Sequence, residues 1–181
     1  MTIPEGVAAP NTLLLPGVLD AAEAAATVRS ILAEQRPDGG IPWFTGGHLD
    51  PWDHTEAAMA LDAAGEHAAA ERAYRWLAEQ QNPDGSWYAG YYGDGAAGIS
   101  NRAVESNFCA YVAVGSWHHY LTTGDEDFLD RMWPVVRRAL DFTVGLQLPG
   151  GPIAWRLDER GAPAQEALLT GSSSILHALR C

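Results

Sequence analysis

Lysine is absent from this 181-residue chain, and all 11 basic residues are arginine. Lysine Schiff-base chemistry and the P-loop lysine are thereby excluded. Bases are also few: 23 acids leave a net charge of −12. A surface this acidic, without basic clusters, repels phosphate backbones and anionic membranes, so no nucleic-acid partner is expected. Cysteine is scarce, with only Cys109 and Cys181, too few for a disulfide framework. No apolar run approaches the ~20 residues of a membrane span. The opening segment "MTIPEGVAAPNTLLLPG" lacks the basic region of a secretory signal. The cytoplasm is the expected compartment. With 47% hydrophobic residues, the length suits one domain with a real core.

Apolar residues at Val18, Ala21, Ala24, Ala25, Val28, Ile31 and Leu32 follow helical spacing. That helix runs to Gln35 and is stopped by "RPDGG". Further helices are predicted over 53–64, 68–81, 104–121, 128–147 and 165–180. Pro134 suits a first helical turn, so a short lead-in is expected before the fifth helix proper. No alternating run requires a sheet, and the chain reads as all-α. Residues 1–17 form an extended lead and 18–181 the helical domain.

Three helix ends share one grammar: "ILAEQRPDGGIPW", "WLAEQQNPDGSWY" and "TVGLQLPGGPIAW". Gly39, Gly85 and Gly150 occupy matching places, 46 and 65 residues apart, and such periods mark repeat architectures. The unit is a helical hairpin with alternating short and long connections, so all long loops emerge at one end. That end collects Trp43, Trp52, Trp87, Tyr88, Tyr91, Tyr92 and Trp155. It also collects Asp38, His48, Asp50, Asp53, Asp84, Asp94 and Glu105. Loops at one end of a rigid scaffold concentrate function, and aromatics beside carboxylates suggest a ligand cleft. The even-numbered helices, rich in small and apolar residues, are candidates for an inner ring.

The glutamine–Asp–Gly–Ser–Trp pattern after an outer helix resembles the repeat of α/α toroids, the terpenoid cyclase and protein prenyltransferase class. "YLTTGDEDFLDRMWPVVRRALDF" is similar to hairpins of six-hairpin glycosidases. With "IPWFTGGHLDPWDHTEAAMAL" and "ESNFCAYVAVGSWHHYL", the chain resembles the N-terminal half of a bacterial family commonly labelled "prenyltransferase". The resemblance implies an incomplete toroid, six helices of about twelve. It further implies a fragment that pairs with its missing half or self-associates, because exposed inner helices would form a large apolar patch.

Glycoside hydrolysis needs two carboxylates, ~6.5–9.5 Å apart for inversion and ~5–5.5 Å for retention. The pair offered by the long-loop face is Glu105 as acid and Asp53 as base. Each has a plainer reading. Asp53 and Glu56 fit a capping box, and Glu105 is an acid favoured by the dipole of its helix. Trp43, His48, Trp52, His54, Tyr91, Tyr92 and Asn107 are the candidate substrate contacts. Trp87 and Trp155 are read as clamps at one repeat position. His118 and His119 are adjacent, so they point ~100° apart and do not ligate one metal together. No metal or cofactor is expected. The leading reading is a toroid enzyme acting on a carbohydrate or glycoconjugate, with a small-molecule or glycan substrate. Isoprenoid transfer or cyclisation is the second reading, and a non-catalytic binding module the third.

Overall fold

The computed structural model describes residues 17–92 and 98–181. The expected N-terminal lead, apart from Gly17, and Asp94 lie outside the described residues. Six helices follow in order: α1 Ala21–Glu34, α2 Pro51–Ala63, α3 His67–Gln80, α4 Ser106–Thr123, α5 Glu126–Val144 and α6 Leu169–Ala178. The fold is all-α, as the periodicity implies. A short antiparallel pair, Gly90–Tyr91 (β1) with Ile99–Asn101 (β2), ties down the loop between α3 and α4. No helix among the described residues is long and apolar enough to cross a membrane.

Local chemistry sets the helix starts. Asp20 caps α1 in a reciprocal box with Glu23, accepting from the Ala22 and Glu23 amides while Glu23 accepts from Asp20. Asp125 caps α5 through the Phe128 amide, and Gly124 in the left-handed region ends α4 just before it. Pro134 corrects the expectation of a broken start, because it sits inside an uninterrupted α5. Proline removes one amide from the ladder. The helix persists because Phe128 and Met132 anchor one side of Pro134 in the core, while Val135, Val136 and Ala139 anchor the other.

The core sits where α4 packs on α2, α5 and α6, and α3 packs on α2. Inner helices are therefore even-numbered and outer ones odd-numbered. Leu61, Tyr74, Leu77, Trp87, Cys109 and Ile175 are buried together. The Tyr74 hydroxyl crosses from α3 to donate to the Gly115 carbonyl on α4.

The helix-end repeat is a physical seam. The Gln35 side-chain amide donates to the Gly39 carbonyl in its own loop and to the Ala69 carbonyl of the next outer helix. Gln81 does the same with Gly85 and Val135. An arginine one turn further along closes each seam, Arg72 onto Gln35 and Arg138 onto Gln81. Gln147 makes the loop bond to Gly151, and no outer helix among the described residues reaches it. The register of the third repeat is thus corrected: Gly151, with φ of 107°, matches Gly39 and Gly85 at 98° and 95°. Gly150 instead takes the place of Asp38 and Asp84.

Candidate active site

Long loops join α1 to α2, α3 to α4 and α5 to α6, and all leave from the same end. The first carries the densest set of polar side chains. Asp50, buried, caps α2 by accepting from the Asp53 amide at 2.9 Å. Its other oxygen accepts from Trp43 Nε1 at 2.8 Å and lies 3.7 Å from His48 Nε2. The Trp43 and His48 rings lie against each other, centroids 4.4 Å apart.

The capping-box reading of Asp53 and Glu56 is corrected by this arrangement. Asp50 is the cap, which leaves the Asp53 carboxylate free of that duty. Asp53 lines a cleft of about 410 Å³ with Ile31, Glu34, Ile41, Trp43 and Ala57. Partial burial, then the neighbouring charge of Asp50 and next that of Glu56, push its carboxyl up to about 6. Glu56 faces α4 instead, where its Oε1 accepts from Trp52 Nε1 at 3.0 Å and from the Tyr111 hydroxyl at 3.3 Å. Trp52 and Tyr111 stack with centroids 3.8 Å apart, and Phe108 lies beside them. Glu56 and Tyr111 are additions to the expected set. The four-residue step from Trp52 to Glu56 was the available signal.

Glu105 is the N-cap residue of α4, but its side chain makes no capping bond. Its carboxylate accepts from Trp155 Nε1 at 2.9 Å, and its backbone pairs with Arg156. Asn107, the second residue of α4, keeps its side-chain oxygen buried with no partner and lies against Gly171 of α6. The loops thus gather Trp43, His48, Asp50 and Asp53 into one cluster and Glu105, Asn107 and Trp155 into another. Trp52, Phe108 and Tyr111 connect α2 to α4 near their N-terminal ends.

Two expected contacts belong to the interior. His54 is buried, its Nδ1 accepting from the Ile41 amide at 3.1 Å and its Nε2 donating to the Ala73 carbonyl at 2.9 Å. Both nitrogens are occupied, and burial lowers its pKa to about 4. Tyr91 is also buried: its ring meets Trp76 edge-on and its hydroxyl accepts from the Tyr88 amide. Its main chain bonds both ways to Leu49, joining the first long loop to the second. Tyr92, one residue on, is 55% exposed. Trp87 is a clamp, as expected, with Nε1 donating to the Leu77 carbonyl. Its place in the repeat is shared with Ile41 and Ile153, however, not with Trp155, which aligns with Trp43.

No family model matches the chain. It is 49% identical over 172 residues to the MMP endo-(1,4)-3-O-methyl-alpha-D-mannosidase of Mycolicibacterium hassiacum, which covers 92% of this chain but 45% of the mannosidase. The chain therefore spans less than half the length of that relative. Among solved structures it is similar to an endoglucanase of Klebsiella pneumoniae, a family 8 glycosyl hydrolase. That match has TM-score 0.60 and 13% identity, covering 74% of this chain and 44% of the other. The cellobiose 2-epimerase of Bacillus thermoamylovorans matches with TM-score 0.61 at 14% identity, over 90% of this chain and 48% of that one. These likenesses establish the fold as part of an α/α toroid of the kind found in glycosidases and sugar epimerases. The prenyltransferase label draws no support from them.

Proposed function

We propose that this chain forms part of a toroid enzyme that hydrolyses glycosidic bonds, with an α-linked, O-methylated mannoside as the substrate class. The observation that carries this reading is the 49% identity to a mannosidase across nearly the whole chain. The geometry supplies the groups. Asp53 serves as general base: a carboxyl with a pKa of about 6 is mostly ionised at pH 7 yet more basic than an ordinary aspartate. Glu105 serves as the acid, oriented by the Trp155 indole. Trp43 and Tyr92, both more than half exposed, offer faces for sugar rings.

The substrate is a neutral oligosaccharide, which the acidic surface does not repel. Both cysteines are unpaired thiols, which fits a reducing compartment such as the cytoplasm. The partner we propose is the remainder of the toroid. Its place is the groove of about 550 Å³ edged by Trp117, Met132, Trp133 and Leu179.

The test is release of reducing ends from α-1,4-linked 3-O-methylmannose oligosaccharides. Asp53→Asn and Glu105→Gln are each expected to lose about 10²–10⁴-fold in kcat with the fold intact. Undiminished turnover in both variants would refute the assignment of roles. Absence of any hydrolysis by the chain joined with the remainder of the toroid would refute the function.

A further inference from the structure

The opposite, short-turn end of the helices holds a second polar cluster that the carbohydrate reading does not use. Asp62 of α2 is fully buried and sits between two histidines. His119 Nδ1 lies 2.9 Å from both its oxygens, and His67 Nδ1 lies 3.0 Å from one. Against a carboxylate, Nδ1 of His119 must donate. In the neutral ring, Nε2 then presents its lone pair. That nitrogen is buried and has no hydrogen-bond partner. The His119 ring groups with Glu71 of α3 and Asp125, the cap of α5, one donor atom from each lying within 4.8 Å of the other two.

A helix brace explains why Asp62 and His119 pair. It does not explain why the other ring nitrogen is buried unpartnered against two carboxylates, since leaving such an atom unsatisfied is costly. A carboxylate that fixes the tautomer of a histidine whose far nitrogen faces other anionic donors is the outer-shell arrangement of metal-binding histidines. We propose that His119 Nε2, Glu71 and Asp125 form a site for a divalent transition ion of zinc type, positioned by Asp62. One imidazole with two carboxylates is a donor set for zinc, whereas calcium and magnesium take oxygen only. His118, adjacent in sequence, takes no part in this site.

The ion would clamp three helices, α3, α4 and α5, at the end where hairpins turn. Both carboxylates are partly exposed, and Asp125 keeps one oxygen on the Phe128 amide. Arg131 competes for these carboxylates, reaching Glu71 at 3.5 Å and Asp125 at 3.7 Å. A guanidinium there supplies positive charge, yet it makes no hydrogen bond to the buried nitrogen, which stays without a partner.

Zinc titration by calorimetry, in protein carrying Cys181→Ser to remove the nearby Cys181–His177 pair, tests the site. One equivalent is expected to bind, with affinity at least about tenfold weaker in Glu71→Gln and in His119→Gln. Arg131→Met is expected to tighten binding, and zinc should raise Tm in the parent but not in Glu71→Gln. Glu71 is at the surface, so its variant keeps the test open should His119→Gln fail to fold. Absence of stoichiometric binding, or equal affinity in Glu71→Gln, would overturn the proposal.

Discussion

Tyr91 and Tyr92 are neighbours in sequence and opposites in role. Tyr91 is 7% exposed and ties two loops together; Tyr92 is 55% exposed and stands at the rim. The same division runs through the whole long-loop end. Trp87 and His54 belong to the seams between repeats, whereas Trp43, Asp53 and Tyr92 belong to the rim. Loop aromatics are thus not one population. Those whose polar atoms bond to backbone of a neighbouring element hold the array together, and those bonded to acids or left open are available to a ligand. The seams give the rim its rigidity, which is what a carboxylate pair at fixed separation requires.

The division can be broken experimentally. Trp87→Ala is expected to cost the most, about 3–5 kcal/mol by chemical denaturation, because the side chain is wholly buried and its N–H is used. Within the seams, Gly85→Ala should cost at least about 2 kcal/mol more than Gly151→Ala. Both glycines have positive φ, but a methyl at Gly85 would overlap the Arg138 backbone, while Gly151 faces open space. Equal costs would show that the turn alone, and not the docking of the next helix, demands glycine.

His54 predicts a pH dependence. Its pKa is lowered from 6.5 to about 4 by burial, so the unfolded chain binds the proton more readily. The associated stability is complete above pH 6.5 and is lost as pH falls toward 4, an effect on the order of 3 kcal/mol. Thermal melts across that range, compared with His54→Gln, check it. Asp53 has the opposite sign. Its raised pKa means that ionisation penalises the folded state increasingly as pH rises through 6. Asp53→Asn should therefore raise Tm slightly at pH 8, by about 1–3 °C, and less at pH 4. A large loss of stability would move Asp53 from the rim to the seams.

Much of this was legible in the sequence. The outer helices α3 and α5 were legible as apolar stripes, whereas the inner helices α2 and α4 carry no such stripe and were legible as runs of small and apolar residues between turns. The repeat of glutamine and Pro-x-Gly found the seams, because one glutamine amide serves both its own loop and the next helix. Pro134 misled, since local preference cannot weigh the apolar anchors on both sides of it. The third seam slipped by one residue because Gly150 and Gly151 are alike on paper, and only the bond from Gln147 selects between them. His54 and Tyr91 read as rim residues because a sequence shows which end of the fold a loop occupies, not which of its side chains turn inward. The same limit hid Asp50 as the true cap, and with it the freedom of Asp53.

The most direct test of the rim is the pH dependence of kcat/KM for oligosaccharide hydrolysis between pH 4 and 8. A base with the environment of Asp53 predicts an acid limb with its midpoint near 6, activity falling as the carboxylate is protonated. A rate that stays level from pH 7 down to pH 5 would contradict Asp53 as the base and return it to a purely structural place.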